Sequence, residues 1–246
     1  MKALILAAGY GTRLYPYTRF LPKPLLKVNK RPIIEYLLDK IIELDGLSEI
    51  IVVTNDRFFK RFGAWRETLP FKKKVRVLND MTKNPKERLG AVGDMNWVFR
   101  KTGFDEDYLV LGGDNFFKAP LTDFVREGKK NAPSVTVGVF DVKDREEACH
   151  YGVVTVGRGN RIVKFVEKPA HPESSLIAMC LYYLPVEKAG LIAEYFKTTN
   201  SKDSIGVFID WVTKQDKVFG STFHDFWIDI GRIQTYRKLK SLFKKN

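Results

Sequence analysis

The sequence is poor in the residues that build disulfide frameworks and zinc sites. It has two cysteines and three histidines in 246 residues. Cys149 and Cys180 are far apart and form no CxxC pair or His/Cys ligand spacing. We therefore expect neither a disulfide-stabilised fold nor a zinc site. The histidines, His150, His171 and His224, are scattered without a nearby partner pattern that would favour a catalytic role.

Long hydrophobic runs are also absent. No stretch approaches the ~18–20 apolar residues of a membrane-spanning helix. The apolar N-terminal stretch ends at Gly9, which is too soon for a signal peptide. We therefore expect no membrane partner and a cytoplasmic protein. The apolar content of 44% is enough to build a sizeable core in one or two domains.

Acidic residues are fewer than basic ones, at 29 Asp and Glu against 42 Lys and Arg, which gives a net charge of +13. A nucleic-acid-binding protein would carry this excess as a stripe interleaved with aromatic residues. Here the charge is spread along the chain, and its densest patches are residues 72–74 and 237–240. We expect solvated basic faces and no nucleic-acid partner, with some attraction for polyanionic nucleotides.

The first half of the chain alternates between strand-like and helix-like hydrophobic patterns. Continuous apolar, often β-branched runs predict strands at residues 2–6, 49–55, 74–78 and 107–111. Apolar residues at helical spacing predict helices at residues 31–42, 57–69 and 89–100. Strands that alternate with helices indicate right-handed βαβ units. The fold class is therefore α/β, with a Rossmann-like, mostly parallel central sheet flanked by helices.

The pattern changes after about Pro133. Residues 152–156 and 162–166 flank a Gly-rich turn and predict a hairpin. Further strands are predicted at 134–140, 176–184 and 217–223, and helices at about 186–196, 203–213 and 233–243. No linker, repeat or low-complexity segment interrupts the chain. We predict a single domain over residues 1–246 whose second half carries an antiparallel insertion.

The loop after the first strand contains Gly9, Gly11, Thr12 and Arg13. Glycines allow backbone N–H groups to approach an anion closely, and a neighbouring cation can neutralise it. A tight turn without a ligand is the alternative. The dinucleotide fingerprint fails because Leu14 replaces its third glycine, and the P-loop pattern fails because its second glycine and its lysine are missing.

The run at residues 9–14 (GYGTRL) and the run at 21–26 (LPKPLL) resemble the signature of the sugar-phosphate nucleotidyltransferases, also called NDP-sugar pyrophosphorylases. Further segments resemble that family in the same order: LGAVG at 89–93, LGGDN at 111–115, YGVV at 151–154, EKP at 167–169 and WIDIG at 227–231. The resemblance runs from residue 4 to residue 231. It implies transfer of a nucleoside monophosphate from an NTP to a sugar 1-phosphate or related phosphorylated polyol.

The resemblance also implies a role for individual residues. Asp114 and Asp229 would bind the cofactor Mg²⁺, and Arg13 and Lys23 would be catalytic. The nucleotide-binding residues would be Leu6, Ala8, Gly9, Gly11, Thr12 and Gly90. The acceptor-binding residues would be Gly152, Glu167 and Lys168. Residues 1–133 would then form a nucleotide-binding half, and residues 134–246 an acceptor-binding half with the C-terminal helix.

Several alternatives stay open. Asp229 could instead cap the final helix, Asp114 could form a turn, and Glu167 with Lys168 could be an exposed ion pair. The stretch at 178–182 (AMCLY) is bulkier than its family counterpart, and the base-reading glutamine of thymidylyltransferases is missing. The base, the acceptor and the oligomeric state are therefore undetermined. No left-handed β-helix is expected after residue 243. The rival function is an inactive nucleotide-sugar sensor that shares the fold.

Overall fold

The computed structural model describes residues 1–199 and 204–243. Its central strand, β1 (Lys2–Leu6), is buried along most of its length. Ala3 and Ile5 pack into the apolar cluster on one face of the sheet, and Leu4 packs into the cluster on the other face. A strand whose side chains are covered on both faces reads as a continuous apolar run, which explains the sequence of β1.

The remaining elements follow in chain order. The strands are β2 (Lys27–Val28), β3 (Arg31–Pro32), β4 (Glu49–Thr54), β5 (Val75–Asn79), β6 (Tyr108–Gly112), β7 (Asn115–Phe117), β8 (Val135–Asp141), β9 (Gly152–Val156), β10 (Ile162–Glu167), β11 (Leu176–Leu184), β12 (Val218–Phe223) and β13 (Trp227–Asp229). The helices are α1 (Ile33–Ile42), α2 (Asp56–Glu67), α3 (Gly90–Thr102), α4 (Thr122–Asn131), α5 (Arg145–Ala148), α6 (Leu191–Thr198), α7 (Ile205–Gln215) and α8 (Ile233–Leu242).

The main sheet has nine strands and a parallel core. Strand β1 pairs in parallel with β4 and β6, and β4 pairs in parallel with β5. Strand β11 runs antiparallel to β6 and joins the second half of the chain to this core. Strands β9 and β10 form the predicted antiparallel hairpin beyond β11. The predicted fold class is confirmed.

Helices cover both faces of the sheet. Buried residues of α1, α2 and α4 belong to one apolar cluster, and those of α3, α6 and α7 belong to the other. A third, smaller cluster lies where α8 packs near Phe116, Ile228 and Ile230. None of the helices in the described part of the chain combines the length and hydrophobicity that crossing a bilayer requires.

Some elements were not predicted from the sequence. The three-residue strands β7 and β13 pair with each other, although more than a hundred residues separate them. Helix α4 was also missed, because its sequence, TDFVREGKKN, has few apolar residues. The helix predicted at 186–196 is a short 3-10 turn followed by α6. The helix predicted from Asp203 starts at Ile205, and Asp203 itself lies outside the described residues.

Helix α4 packs unusually closely on strand β11. A Cβ atom on Gly128 would overlap the ring of Tyr183, whose hydroxyl is held by Asp107. We expect Gly128→Ala to lower the free energy of unfolding by about 1–3 kcal/mol because the ring has no room to retreat. The matched control is Gly63→Ala in helix α2, where a Cβ meets nothing within 4 Å. That change should raise stability by about 0.5–1 kcal/mol. Urea unfolding of both variants tests this, and equal effects would contradict it.

Candidate active site

The glycine loop, residues 7–14, leaves the carboxyl end of β1 and is held from several sides. Gly11 has a φ of +64°, a left-handed conformation that favours glycine. The Thr18 hydroxyl donates to the Gly11 carbonyl at 2.6 Å, and the Asn55 amide donates to the Ala8 carbonyl at 2.8 Å. The loop therefore has a fixed shape before any ligand binds.

The loop after β6 packs directly against the start of the glycine loop. The Gly113 N–H donates to the Leu6 carbonyl at 2.9 Å. A Cβ at Gly113 would lie 3.0 Å from the Pro24 side chain and 3.1 Å from that same carbonyl oxygen. The absence of a side chain at Gly113 thus brings Asp114, one residue later, next to Lys23. The Lys23 ammonium donates to Asp114 Oδ2 at 3.1 Å.

Two adjoining cavities lie at this edge of the sheet. The first, of about 350 Å³, is lined by the glycine loop, the loop after β6, the segment that follows β5 and the start of α3. The second, of about 510 Å³, is lined mainly by the second half of the chain. The residues that line both cavities include Arg13, Lys23, Asp114 and Cys180. An open position where parallel strands end is the usual ligand site of such sheets.

Every residue that the sequence singled out lines one of these cavities. The first cavity contains Leu6, Ala8, Gly9, Gly11, Thr12, Arg13, Lys23, Gly90 and Asp114. The second contains Gly152, Glu167, Lys168 and Asp229, together with Arg13, Lys23, Gly90 and Asp114. The structure thus brings together residues that lie up to 223 positions apart, from Leu6 to Asp229.

The short β7–β13 pair places the two predicted metal ligands side by side. Asp229 lies opposite Asn115 in the register, and the Ile230 N–H donates to the Asp114 carbonyl at 3.0 Å. The Trp227 indole N–H donates to Asn115 Oδ1 at 2.7 Å and so adds a side-chain contact between β13 and β7. Asp229 does not cap the final helix, because the N-cap of α8 is Arg232.

The electrostatics of this pair reflect two carboxyl groups that lie close to each other. Burial and the nearby Asp114 carboxylate raise the pKa of Asp229 to about 7, and Lys23, Arg13 and Lys168 partly counteract this. Three cationic side chains thus act on one carboxylate from different elements of the chain. A further cation bound between the carboxylates would relieve the same repulsion.

The second cavity is shaped by close contacts around Glu167. A Cβ on Gly206, in the first turn of α7, would overlap Glu167 Oε2. A Cβ on Gly152 would overlap the Phe165 ring and lie 3.1 Å from that same oxygen. Glu167 also pairs with Lys168 at 3.2 Å, as the simpler interpretation of the sequence expected, while both line the cavity.

Several lining residues of the first cavity were not predicted from the sequence, among them Asp80, Asp94 and Cys180. Asp80 and Asp94 are 4% and 6% exposed and line the wall formed by the end of β5 and by α3. Cys180 has a φ of +54° where the pairing of β11 shifts, and burial raises the pKa of its thiol. An aspartate on the buried face of the predicted helix at 89–100 was the one available signal. The bulge at Cys180 has no signal in the local sequence.

Asp94 makes the stability of the protein depend on pH. Burial and the neighbouring Asp80 raise the pKa of Asp94 from 3.8 to about 8. Between these values the folded state binds more protons than the unfolded state, so the contribution of Asp94 to stability is fully present below about pH 4 and is lost as the pH rises through about 8. Asn at this position does not titrate. We expect Asp94→Asn to gain stability over the wild type by at most about 1.4 kcal/mol per pH unit in this window.

Thermal unfolding at pH 5 and pH 8.5 measures this effect. The control is Asp123→Asn, because Asp123 is exposed and its side chain lies on helix α4 away from the cavities. Its pH profile should follow the wild type. Parallel profiles for Asp94→Asn and the wild type would contradict the assignment.

Comparison with known proteins agrees with this geometry. A family model described as nucleotidyl transferase matches residues 2–246. The chain belongs to the nucleotidyl transferase family. The resemblance read from the sequence, and with it the enzyme class, is confirmed. The individual roles of the site residues stay predictions.

Relatives of this nucleotidyltransferase include longer proteins. The bifunctional proteins GlmU of Methanococcus aeolicus and of Methanocaldococcus jannaschii are each 27% identical over 237 residues. The match covers 94% of this chain and 52% of each relative, so the chain spans about half their length. A solved structure of UDP-glucose pyrophosphorylase with UDP-glucose superposes with a TM-score of 0.83 at 20% identity, over 99% of this chain and 98% of the other. That likeness shows the fold.

Proposed function

We propose that the protein is a Mg²⁺-dependent nucleotidyltransferase that joins an NTP to a sugar 1-phosphate or a related phosphorylated polyol. A phosphate oxygen of the acceptor attacks the α-phosphorus of the NTP and forms the new P–O bond. The bond from the α-phosphorus to the oxygen bridging to the β-phosphate breaks, and pyrophosphate leaves. The reaction needs no covalent enzyme intermediate, so the work of the protein is positioning and charge neutralisation.

The observation that carries this proposal is the placement of four charged side chains around the two cavities. Arg13, Lys23 and Asp114 line both cavities, and Asp229 lines the second beside Asp114. A nucleotide in the first cavity and an acceptor phosphate in the second would meet at these groups. The transfer step is the part of the proposed reaction in which the same charged residues contact both ligands.

The donor set fits a hard divalent cation. Asp114 and Asp229 are neighbouring carboxylates, and Mg²⁺ is usually held by one or two carboxylates together with substrate phosphates. Burial and the Asp114 carboxylate raise the pKa of Asp229 to about 7, and a divalent cation between the two carboxylates would offset this repulsion. When bound, Mg²⁺ supplies positive charge to the reacting phosphates.

The side chains of the protein supply the remaining interactions. Arg13 binds the β- and γ-phosphates and stabilises charge on the departing pyrophosphate. Lys23, held by Asp114, lies between the α-phosphate and the incoming phosphate. Lys168 holds the acceptor phosphate, and Glu167 accepts hydrogen bonds from acceptor hydroxyl groups. Backbone groups of the glycine loop and of Gly90 bind the nucleotide.

This proposal divides the single domain by ligand. The lining residues of the first cavity lie between residues 6 and 114, except for Cys180. The second cavity adds residues from 150 to 231. Residues 1–133 would therefore bind the nucleotide, and residues 134–246 the acceptor. A cytoplasmic location, where nucleoside triphosphates are made, is part of the same proposal.

The experiment is a pyrophosphate-release screen with Mg²⁺. It crosses the common NTPs with sugar 1-phosphates, inositol phosphate and phosphocholine, and repeats each productive pair with a chelator. We expect release that depends on the NTP, the acceptor and Mg²⁺ together. Silence across the matrix, with NTP or nucleotide-sugar binding retained in calorimetry, would support the inactive sensor instead.

A further inference from the structure

Two buried aspartates, Asp80 and Asp94, line the wall of the first cavity that lies opposite the predicted metal ligands. Asp80 follows β5, and the sheet order at this edge is β6-β1-β4-β5. Asp114 follows β6, so three strand spacings of about 4.8 Å each, roughly 14 Å in total, separate the two loops. A nucleotide whose phosphates meet Arg13 and Lys23 would place its base near Asp80 and Asp94. Two buried carboxyls are a poor surface for a triphosphate.

A hydrogen-bond chain fixes the Asp80 carboxylate to the glycine loop. Asp80 Oδ1 accepts from the Thr82 backbone N–H at 2.7 Å and from the Thr82 hydroxyl at 2.8 Å. Because the Thr82 hydroxyl donates its hydrogen bond to Asp80, it accepts at 3.1 Å from the hydroxyl of Tyr10, which lies between the two loop glycines. The position of Asp80 is therefore tied to that of the phosphate-side loop.

Asp94 and Asp80 are hydrogen-bonded to each other, so the pair holds a proton. Burial raises the pKa of both carboxyls, and that of Asp94 reaches about 8. The other Asp94 oxygen, Oδ1, has no hydrogen-bond partner although the side chain is only 6% exposed. A buried polar atom without a partner has lost its hydrogen bonds to water and destabilises the folded protein. A ligand group that donates a hydrogen bond would remove that destabilisation.

This arrangement presents acceptors to the base. Asp80 and Asp94 both line the first cavity, and Asp94 Oδ1 is an acceptor that no protein group uses among the described residues. Cytosine, adenine and guanine each carry an exocyclic amino group that donates. Uracil and thymine have no exocyclic amino group. They donate only from the ring N3–H, which is flanked by two carbonyl oxygens that would be repelled by the acceptors of the pair.

We propose that Asp80 and Asp94 select the base of the NTP and favour bases with an exocyclic amino group over uracil and thymine. The inference rests on the proposed nucleotidyl transfer and names the nucleotide class that the reaction uses. Asp80 and Asp94 are specificity-determining residues in this proposal. A purely structural pair would affect all nucleotides equally.

Matched nucleotide pairs test the proposal in the full-length protein. CTP has an exocyclic amino group where UTP has a carbonyl oxygen, and ATP has one where ITP has a carbonyl oxygen. GTP differs from ITP by its 2-amino group. For the nucleotide pair that the enzyme uses best, we expect kcat/KM to be about tenfold or more higher for the member with the amino group. This ratio corresponds to ~1.4 kcal/mol. Equal use, or a preference for the member that lacks the amino group, would overturn the proposal.

Two substitutions at one position separate selection from folding. Asp94→Ala removes the free acceptor, and we expect the amino preference to fall below threefold. Asp94→Asn keeps an acceptor oxygen and can donate from its amide to Asp80, so the preference should survive. An unchanged preference in Asp94→Ala, with thermal unfolding showing a folded protein, would overturn the proposal.

Calorimetric binding of the same nucleotide pairs to the wild type gives an answer that needs neither variants nor turnover. Tighter binding of the amino member supports the proposal, and equal binding overturns it, even if Asp94→Ala fails to fold. If no acceptor releases pyrophosphate, the proposed reaction fails, while the binding ratio still decides the inference about the base.

Discussion

Replacing Asp114 by alanine is expected to lower kcat by ~10²–10³-fold, because a charge that acts on the transition state is lost. Asp114 is the carboxylate that lines both cavities, pairs with Lys23 at 3.1 Å and raises the pKa of Asp229. Its removal frees the Lys23 ammonium and leaves Asp229 as the sole predicted carboxylate for the cation. The concentration of Mg²⁺ needed for half-maximal activity should rise as well.

The measurement is steady-state pyrophosphate release against Mg²⁺ concentration, with the best substrate pair from the screen. Asp114→Asn keeps the shape and one oxygen but not the charge, so it should also lose most of the activity. Asp123→Ala, on the exposed side of helix α4, is the matched acidic control and should retain wild-type kcat. A wild-type rate in Asp114→Ala would refute the assignment of this carboxylate.

Replacing Arg13 by alanine is the second change with a large expected effect, a loss of about 10²-fold in kcat. Arg13 follows the fixed Gly11 turn, lines both cavities and acts electrostatically on Asp229. If it stabilises charge on departing pyrophosphate, the loss falls on kcat more than on the KM for NTP. A residue that only binds the ground state would raise KM and leave kcat unchanged.

Arg13→Lys separates charge from geometry. It keeps a cation but loses the planar fork that can bind two phosphate oxygens, so a partial recovery between the alanine variant and the wild type is expected. Arg126→Ala is the matched control, since Arg126 pairs with Asp123 on the exposed face of α4. The role proposed for Arg13 is untenable if Arg13→Ala changes KM alone.

Much of the site was readable from the sequence because its residues lie in short, local signatures. The glycine loop, Asp114 and the Glu167–Lys168 pair each lie at the end of a strand whose apolar run is visible, and Lys23 lies in the signature at residues 21–26. Parallel strands end at one edge of a sheet, so a signature after each strand predicts a common location. The structure places all of them around two adjoining cavities.

Other features depend on contacts between distant segments. The three-residue strands β7 and β13 have too few residues for a periodic pattern, and each exists because the other pairs with it. Asp229 could therefore be predicted as a helix cap from its neighbours, while the structure places it in β13 beside Asp114. Helix α4 is polar in sequence and is held by its packing around Gly128 and Tyr183.

The sequence by itself determined the alternating α/β order, the parallel core around β1 and the chemistry of the loop from Gly9 to Arg13. These depend on hydrophobic periodicity and on local backbone requirements, which neighbouring residues specify. The tertiary structure alone decided that Asp80 and Asp94 lie buried on one wall of the first cavity and that Asp114 and Asp229 line the second cavity together. Burial and charge proximity, which raise the pKa values of Asp94 and Asp229, arise only when segments distant in the chain come into contact.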